Sequence, residues 1–436
     1  MKKEPQKKIP TSKVKRASKI LGTGAKVGVN YVKHYTKKLV DPSLSKEDLH
    51  QANASDIYDT LSELKGSALK VAQMMSMDDQ VLPKAYQEKF ALAQYQAPAL
   101  SYPLIIKTFK KHFDVAPNEL FDSFSKEAVH AASIGQVHLA EKNGQKLAVK
   151  IQYPGVADSI SSDLKLVKPL AGRLFNMNTR DLNHYLEEVE SKLIEETDYL
   201  LELERGALIG DKSQSLNGLV FPKYYKEKSS KQVLTMDWID GVPFGDFCKS
   251  EKEDKARNEV GQNLWDFFLF QMKHLRLVHA DPHPGNFLIT KDNKIGVLDF
   301  GCVKEISEHF ASNYFELLRP STLDDQEKLN TIYQEIQFFR KEDTEEDKKK
   351  LREIYHESLA LLAKPFHQEQ FDFGDPAFFN AIFKMGENLS KDKSIRKLNN
   401  ARGSRDALYV MRTFFGLYNL LHQLKAKVSL NYPLYD

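Results

Sequence analysis

The 436-residue chain is poor in cysteine, holding only Cys248 and Cys302. These two stand far apart and in no metal-ligand spacing, which excludes a disulfide framework and a zinc site and fits a reducing compartment. No window of uncharged apolar sequence is long enough to span a bilayer. The basic N-terminus lacks the apolar core of a signal peptide. An excess of one charge is missing too: 63 Lys and Arg against 60 Asp and Glu leave a formal net charge of +3, without the global signature of a nucleic-acid partner. The expectation is a soluble, cytoplasmic protein, long enough to bury a large core in one two-lobed unit with an extension.

What the chain does have is concentrated in His279 to Gly301, HADPHPGNFLITKDNKIGVLDFG. Asp281 and Asn286 have the Asp-x-x-x-x-Asn spacing of a phosphotransferase catalytic loop, and Asp299-Phe300-Gly301 is the metal-binding triplet that follows such a loop. Between them FLIT and KIGVLDF are short apolar runs separated by Lys291-Asp292-Asn293-Lys294, which predicts a hairpin. That hairpin would bring Asn286 and Asp299 to one metal site and set Asp281 towards a substrate hydroxyl. Pro282, Pro284 and Gly285 stiffen the loop. Either motif alone is equally well read as a polar loop or a turn after a strand. Both together, in this order, predict a kinase-type C-lobe.

Upstream, Ala131-Ala132-Ser133-Ile134-Gly135-Gln136-Val137-His138-Leu139-Ala140 runs through Lys142-Asn143-Gly144-Gln145 into Lys146-Leu147-Ala148-Val149-Lys150-Ile151-Gln152. This reads as strand, turn and strand, with small residues at the first bend that let backbone N–H groups approach a polyphosphate. Lys150 is placed like the strand lysine that pairs α- and β-phosphates. Residues 158 to 207 have helical periodicity and contain Glu195, Glu196, Asp198, Glu202 and Glu204, one of which should pair Lys150. Leu219-Val220-Phe221 and Gln232 to Ile239 read as closing strands of the N-lobe. Met236-Asp237-Trp238 would be the connector whose backbone bonds an adenine. The tail from 303 onwards reads as helices with aromatic core faces, among them Phe414, Phe415 and Tyr418.

Residues 1 to 40 carry twelve lysines and arginines against Glu4 alone. The first part, through about Lys15, is expected to be disordered. From Ile20 to Val40, Leu21, Val27, Val29, Tyr31, Val32, Tyr35 and Leu39 predict a helical stripe loosened by Gly22, Gly24 and Gly28. Such a stripe permits docking on anionic lipid; a basic arm with a helix packed on its own domain is the plainer reading. Gly22-Thr23-Gly24 follows no strand and lacks a Gly-Lys-Ser/Thr ending, so it is no phosphate loop. Residues 46 to 95 read as helices, with Ser45 and Ser55 as N-caps and Leu61, Leu64 and Leu69 on an apolar face. Pro98 and Pro103 mark a boundary.

Three features of ordinary protein kinases are missing. No Gly-x-Gly-x-x-Gly loop precedes Lys150, no arginine precedes Asp281, and no Ala-Pro-Glu follows Gly301. A peptide-docking segment is therefore not expected, and the acceptor would be small, lipidic or water.

With these motifs the chain resembles the UbiB/AarF/ADCK family of atypical kinases, which includes mitochondrial coenzyme Q proteins. The resemblance rests on SIGQVH (Ser133 to His138), AVKIQYPGV (Ala148 to Val156), Glu196-x-Asp198, HADPHPGN and LDFG, and on Lys70-Val71-Ala72-Gln73 as a Lys-x-Gly-Gln signature with alanine for glycine. His130 replaces the first alanine of the family's loop. The resemblance implies that Lys70 and Gln73, with Glu196 and Asp198, form a cap over the active site, with Lys70 paired to Glu196. It also implies that Lys150 pairs with Glu202 and that Asn286 and Asp299 hold Mg²⁺ for ATP. Family members of the UbiB type carry C-terminal membrane helices; this chain ends LKAKVSLNYPLYD, so any membrane contact would be peripheral.

The expected fold is α+β, a two-lobed kinase-like domain: a basic arm (1–18), a helical extension (19–100), an N-lobe with a helical insertion (101–236) and a C-lobe (237–436). The expected activity is that of an ATPase or small-molecule or lipid phosphotransferase linked to isoprenoid quinone or lipid metabolism. The partners expected are that small acceptor and an anionic membrane touched peripherally, with no nucleic acid. Two rivals are an antibiotic- or sugar-type kinase, and a nucleotide-gated scaffold without turnover for a membrane-associated biosynthetic assembly.

Overall fold

The computed structural model describes residues 13–41, 45–64, 68–70, 84–91, 99–131, 134–175, 179–250, 252–391 and 403–430. Ala72, Gln73, Ala132 and Ser133 lie outside them, as do residues 1–12 of the basic arm. The chain forms two compact units: Met1–Glu204 with Lys223–Trp238, and Arg205–Pro222 with Ile239–Asp436.

The first unit is built on an antiparallel sheet. Its strands are β1 (Ser123–Phe124), β2 (His130–Ala131), β3 (Gly135–Lys142), β4 (Gln145–Gln152) and, after β5 (Leu219–Val220) of the second unit, β6 (Val233–Asp237). The order is β1-β3-β4-β6, with β2 also paired to β3. The turn between β3 and β4 is tighter than the four residues expected. Only Asn143 and Gly144 are left over, with φ of 52° and 75°, the two-residue turn whose twist matches a hairpin. Leu147, Val149, Ile151 and Val233 form a core with Ile105 and Phe109 of a helix spanning Tyr102–Phe113 and with Phe121. Pro103 stands in the first turn of that helix, where its missing N–H costs nothing.

The longer helices of this unit among the described residues, in chain order, are α1 (Lys13–Val40), α2 (Glu47–Leu64), α3 (Lys84–Ala91), α4 (the Tyr102–Phe113 helix), α5 (Val156–Phe175), α6 (Thr179–Glu196) and α7 (Tyr199–Lys212), which continues into the second unit. Residues of α1, α2, α3, α5 and α6, with Ala68 and Leu69, share a second core. Helix α1 corrects both the disorder expected through about Lys15 and the arm expected to residue 18, since it begins at Lys13 and runs unbroken through Gly22, Gly24 and Gly28. It also turns a different face inward than the apolar pattern predicts. Arg16, Ile20, Thr23, Val27 and His34 are buried, whereas Leu21, Val29, Val32, Tyr35 and Leu39 are exposed. The inner face is polar because its groups find partners. Arg16 pairs with Asp163 (Nε–Oδ1 2.7 Å) and donates to the Leu64 carbonyl (2.7 Å), while Asn30 donates to Asn53 and Asp56 of α2. Ser45 accepts from the Glu47 N–H at the start of α2, but Ser55 lies inside that helix and caps nothing.

In the second unit the sheet order is β5-β10-β9-β7, from β7 (Val242–Pro243), β9 (Phe287–Ile289) and β10 (Ile295–Val297). Strand β5 pairs parallel with β10, Leu219 opposite Ile295. Leu219-Val220 thus belongs here and not among closing strands of an N-lobe. Strand β8 (Leu277–His279) pairs with β11 (Val303–Glu305). Around them stand α8 (Phe244–Lys249), α9 (Asp254–Phe270), α10 (Glu308–Leu317), α11 (Gln326–Glu335), α12 (Glu345–Leu362), α13 (Pro376–Lys391) and α14 (Arg405–Leu424). Trp265 of α9 packs on Phe366, Phe373 and Tyr418, with Tyr418 donating to the Leu362 carbonyl at 2.7 Å. Phe414 and Tyr418 are core, as the tail's aromatic pattern predicts, whereas Phe415, expected with them, is exposed.

Candidate functional site

The first unit places Lys150 on β4, opposite Val137 of β3 and Leu234 of β6. Its Nζ lies 2.8 Å and 2.9 Å from the two carboxylate oxygens of Glu202. Of the five acidic residues that sequence left open, this is the one that meets the lysine. Glu202 is almost wholly buried, so the pair is held in a setting where the attraction is little screened. The Tyr199 ring adds a second restraint, its centroid 5.0 Å from Lys150 Nζ. Both residues stand in the first turn of α7. Asp198 sits just ahead of that turn, its Oδ1 accepting from the N–H groups of Leu200 and Leu201 at 3.2 Å and 3.3 Å. This is helix N-capping, and it fixes the end of the helix that carries Glu202.

Lys70 Nζ lies 3.0 Å from Glu196 Oε2, at the last residue of α6, with both side chains largely buried. Ala68 and Leu69 beside it are fully buried in the core shared with α1.

A Cβ at Gly135 would come within 2.7 Å of the Ile151 carbonyl and of the Tyr199 hydroxyl oxygen, so glycine is set by packing there. The side chains of Ile134 and Gln136 are buried, and Gln136 Oε1 accepts from the Leu100 N–H at 2.6 Å. The loop expected to approach a phosphate includes Ala132 and Ser133, which lie outside the described residues. Ala131 and Val137 flank it, half-buried.

The connector expected at Met236-Asp237-Trp238 is displaced towards the C-terminus. Met236 and Asp237 remain in β6, and the N–H groups of Asp237 and Trp238 donate to the carbonyls of Lys223 (2.9 Å) and Lys146 (3.1 Å). Sheet pairing therefore uses these donors, and the chain passes between units at Trp238–Ile239.

In the second unit the two stretches expected to be catalytic are loops of adjacent strand pairs. Asp281 lies between β8 and β9, and Asp299 between β10 and β11. The Leu298 N–H donates to the Asn286 carbonyl at 3.0 Å, and the Ala280 N–H to the Cys302 carbonyl at 2.9 Å. His279 Nε2 lies 2.6 Å from the Asp299 carbonyl, which requires the proton on Nε2. Across one loop, Asn286 Nδ2 donates to the Asp281 carbonyl (2.8 Å) and side chain (3.3 Å). The Gly301 N–H donates to Asp299 Oδ1 at 2.9 Å.

Several residues of this arrangement carry no sequence signal of their own. Buried Gln271 accepts from the His279 N–H at 2.6 Å. It is delivered by a π-helical turn, Gln271–Leu275, at the end of α9, a distortion common at functional sites. Gly416 of α14 gives room to Pro282, whose Cγ a Cβ there would approach to 2.2 Å. Arg205 reaches the Gly301 carbonyl at 3.5 Å.

Asn286 commits its amide nitrogen to Asp281, so its amide oxygen is the atom it has left to offer a cation, as Asp299 has its carboxylate. Two hard oxygen donors suit Mg²⁺, which keeps much of its water when bound. Among the described residues no group of three or more His, Cys, Asp or Glu forms a metal cage.

The chain is similar to known proteins over most of its length. It is 28% identical over 386 residues to the mitochondrial atypical kinase COQ8B of Danio rerio, covering 85% of this chain and 60% of that protein. With the mitochondrial atypical kinase COQ8 of Saccharomyces cerevisiae it shares 29% over 388 residues, 86% of this chain and 75% of the yeast protein. An ABC1 family protein of Schizosaccharomyces pombe is 31% identical over 316 residues, covering 69% and 57% of the two chains. Among solved structures, Rv3197 of Mycobacterium tuberculosis, determined with erythromycin, superposes with a TM-score of 0.62 at 24% identity over 88% of this chain and 95% of that one. It shares the fold. The family model described as the ABC1 atypical kinase-like domain matches residues 92–333, more than half of the chain. This protein belongs to the ABC1 atypical kinase-like family.

Proposed function

We propose that the protein binds ATP with Mg²⁺ and turns it over, as an ATPase or as a phosphotransferase to a small or lipidic acceptor. The observation that carries this reading is the joining of the Asp281 and Asp299 loops through His279, Asn286 and Leu298. Backbone and side-chain bonds restrain both carboxylates, which suits phosphoryl transfer, where positioning supplies most of the rate. Asp281 would orient the attacking hydroxyl or water. Lys150, held by Glu202, would meet phosphate oxygens. Mg²⁺, when bound by Asn286 and Asp299, would neutralise developing phosphate charge. The similarity to COQ8 proteins supports an acceptor or role in quinone metabolism; the chain spans 60% of the Danio rerio relative's length.

The test is Mg²⁺-dependent ATP turnover by the purified protein beside Asp299→Asn and Asp281→Asn. Turnover abolished by either change supports the reading, and turnover unaffected by both would sink it. A nucleotide-gated scaffold is the second reading, favoured by the Lys70–Glu196 pair, which suits a closed cap. It predicts nucleotide binding without turnover, with or without quinone-like phenols.

A further inference from the structure

The loop from Ala280 to Phe287 and the stretch from Leu298 to Cys302 contain no lysine or arginine. Each carries a carboxylate instead, Asp281 in one and Asp299 in the other. Phosphoryl transfer spreads negative charge over the oxygens of the moving group, and a fixed positive charge beside those oxygens lowers the barrier. A side-chain cation for this purpose has to come to the second unit's loops from another element.

Helix α14 lies along the chain that leaves one stretch and enters the other. The Ser307 N–H, just past β11, donates to Asp406 at 3.5 Å. One turn on, the Tyr409 ring has Lys304 Nζ 5.1 Å from its centroid. Lys304 stands on β11, opposite Val278 of β8. Two turns further, Gly416 meets Pro282, the residue after Asp281. A Cβ at Gly416 would fall 2.2 Å from Pro282 Cγ, so glycine is what lets the helix approach the loop this closely.

Arg412 falls between the last two contacts. It comes three residues after Tyr409 and four before Gly416, spacings that put all three on one edge of the helix. Along the axis it is ~4.5 Å from the first and ~6 Å from the second. The opposite face, with Val410, Phe414, Leu417 and Leu421, is buried. Of the two cations on this edge, Lys304 is half-buried against Tyr409, and Arg412 is exposed. A guanidinium presents a planar fork of donors that matches two phosphate oxygens at once.

We infer that Arg412 is a catalytic residue that contacts the phosphoryl group in transfer, an arginine supplied in cis by α14. The inference rests on the ATP turnover proposed for this site. The attacking oxygen forms its bond to phosphorus as the bond from phosphorus to the ADP oxygen breaks. Asp281 receives the proton of the attacking hydroxyl or water, and ADP leaves with the electron pair. Arg412 keeps its own protons throughout and bonds the oxygens that gain charge.

The test is Mg²⁺-dependent ATP turnover and nucleotide binding by the full chain, wild type beside Arg412→Gln, Arg412→Lys and Lys291→Gln. Lys291, exposed in the turn between β9 and β10, controls for the loss of one surface charge and should change nothing. Arg412→Gln should lower kcat about 100-fold or more while KM for ATP stays within about threefold. Arg412→Lys should recover only part of the loss, since it offers a point charge in place of the fork. ADP should bind Arg412→Gln as it binds wild type, whereas ADP with aluminium fluoride, a mimic of the group in transfer, should bind about 100-fold more weakly. The melting temperature should not move. A kcat in Arg412→Gln within about threefold of wild type, or an equal loss in the binding of ADP and of the mimic, would overturn the inference. So would a fall in melting temperature with full recovery of turnover in Arg412→Lys, which would mark a structural charge. Wild type without turnover would bring down the ATP reading and this inference together; turnover present in wild type and kept in Arg412→Gln would bring down this inference alone.

Discussion

Lys150 and Glu202 meet through both carboxylate oxygens, at 2.8 Å and 2.9 Å, with the Tyr199 ring 5.0 Å from the ammonium. Strand β4 and helix α7 each contribute one charge, with Glu202 almost wholly buried and Lys150 largely so. Removing one partner of such a pair strands the other, at a cost of about 3–5 kcal/mol. Lys150→Met should therefore destabilise the first unit by about that much in urea unfolding and lower ATP turnover about 100-fold or more. Lys150→Met/Glu202→Leu should regain most of the stability and none of the turnover. If the double variant is no more stable than Lys150→Met, the pair is not what the missing stability came from.

His138 gives the first unit an acid limit. Its Nδ1 lies 2.7 Å from the Ser125 carbonyl and its Nε2 2.8 Å from Gln136 Nε2. Gln136 Oε1 already accepts from Leu100, so the amide nitrogen donates and Nε2 must be the unprotonated acceptor. Burial lowers the pKa of the ring below its ordinary 6.5, against the raising effect of the Ser125 hydrogen bond. The sign follows from proton count. Below 6.5 the unfolded chain takes up a proton that the folded chain refuses, so stability is fully present above that value and falls as pH drops towards the folded pKa. The slope is at most about 1.4 kcal/mol per pH unit. Thermal melts from pH 8 to 5.5 should show this loss, and His138→Gln should flatten it. An unchanged slope in His138→Gln would assign the acid limit elsewhere.

The arrangement of the two candidate loops was legible because their information is local. Asp281 to Asn286 and the hairpin to Asp299 need only spacing and turn chemistry, and Asn286 does reach Asp281. Lys150 was legible from its strand. Its partner became definite only with α7 in place, since five acids on a helical stretch differ in direction and not in chemistry. Helix α1 was legible as a helix but not in its inner face, because apolar pattern finds buried Ile20 and Val27 yet passes over Arg16, Thr23 and His34, buried with them. Strand β5 is two residues long, and its parallel partner β10 lies far along the chain. Nothing local distinguishes it from a strand of the other sheet.

The Lys70–Glu196 pair should behave as a clasp. Both side chains are largely buried at 3.0 Å, so Lys70→Glu sets two carboxylates together and should cost about 1.5–3 kcal/mol. The reciprocal Lys70→Glu/Glu196→Lys should restore at least half of that. Under the cap reading the single variant also speeds nucleotide release, followed with a fluorescent ATP analogue. Full stability in Lys70→Glu would show that the contact holds nothing.

Gly416 and Pro282 provide a test of how closely the catalytic loop is held. A Cβ on Gly416 would fall 2.2 Å from Pro282 Cγ and 3.2 Å from its carbonyl oxygen. Helix α14 is anchored by core residues Phe414, Leu417 and Tyr418, so the loop is the softer side and should yield. Pro282 follows Asp281 directly, and a displacement near 1 Å of a catalytic group costs about 100-fold in rate. Overpacking of this kind should cost about 1–3 kcal/mol of stability. Gly261→Ala is the matched control, because its Cβ would fall 2.4 Å from Ala426 Cβ and strain the same unit without touching the loop. Gly416→Ala should lose turnover about 100-fold at a stability loss similar to that of Gly261→Ala, which should keep its turnover. Equal turnover in the two variants would mean that α14 supports the fold without positioning Asp281.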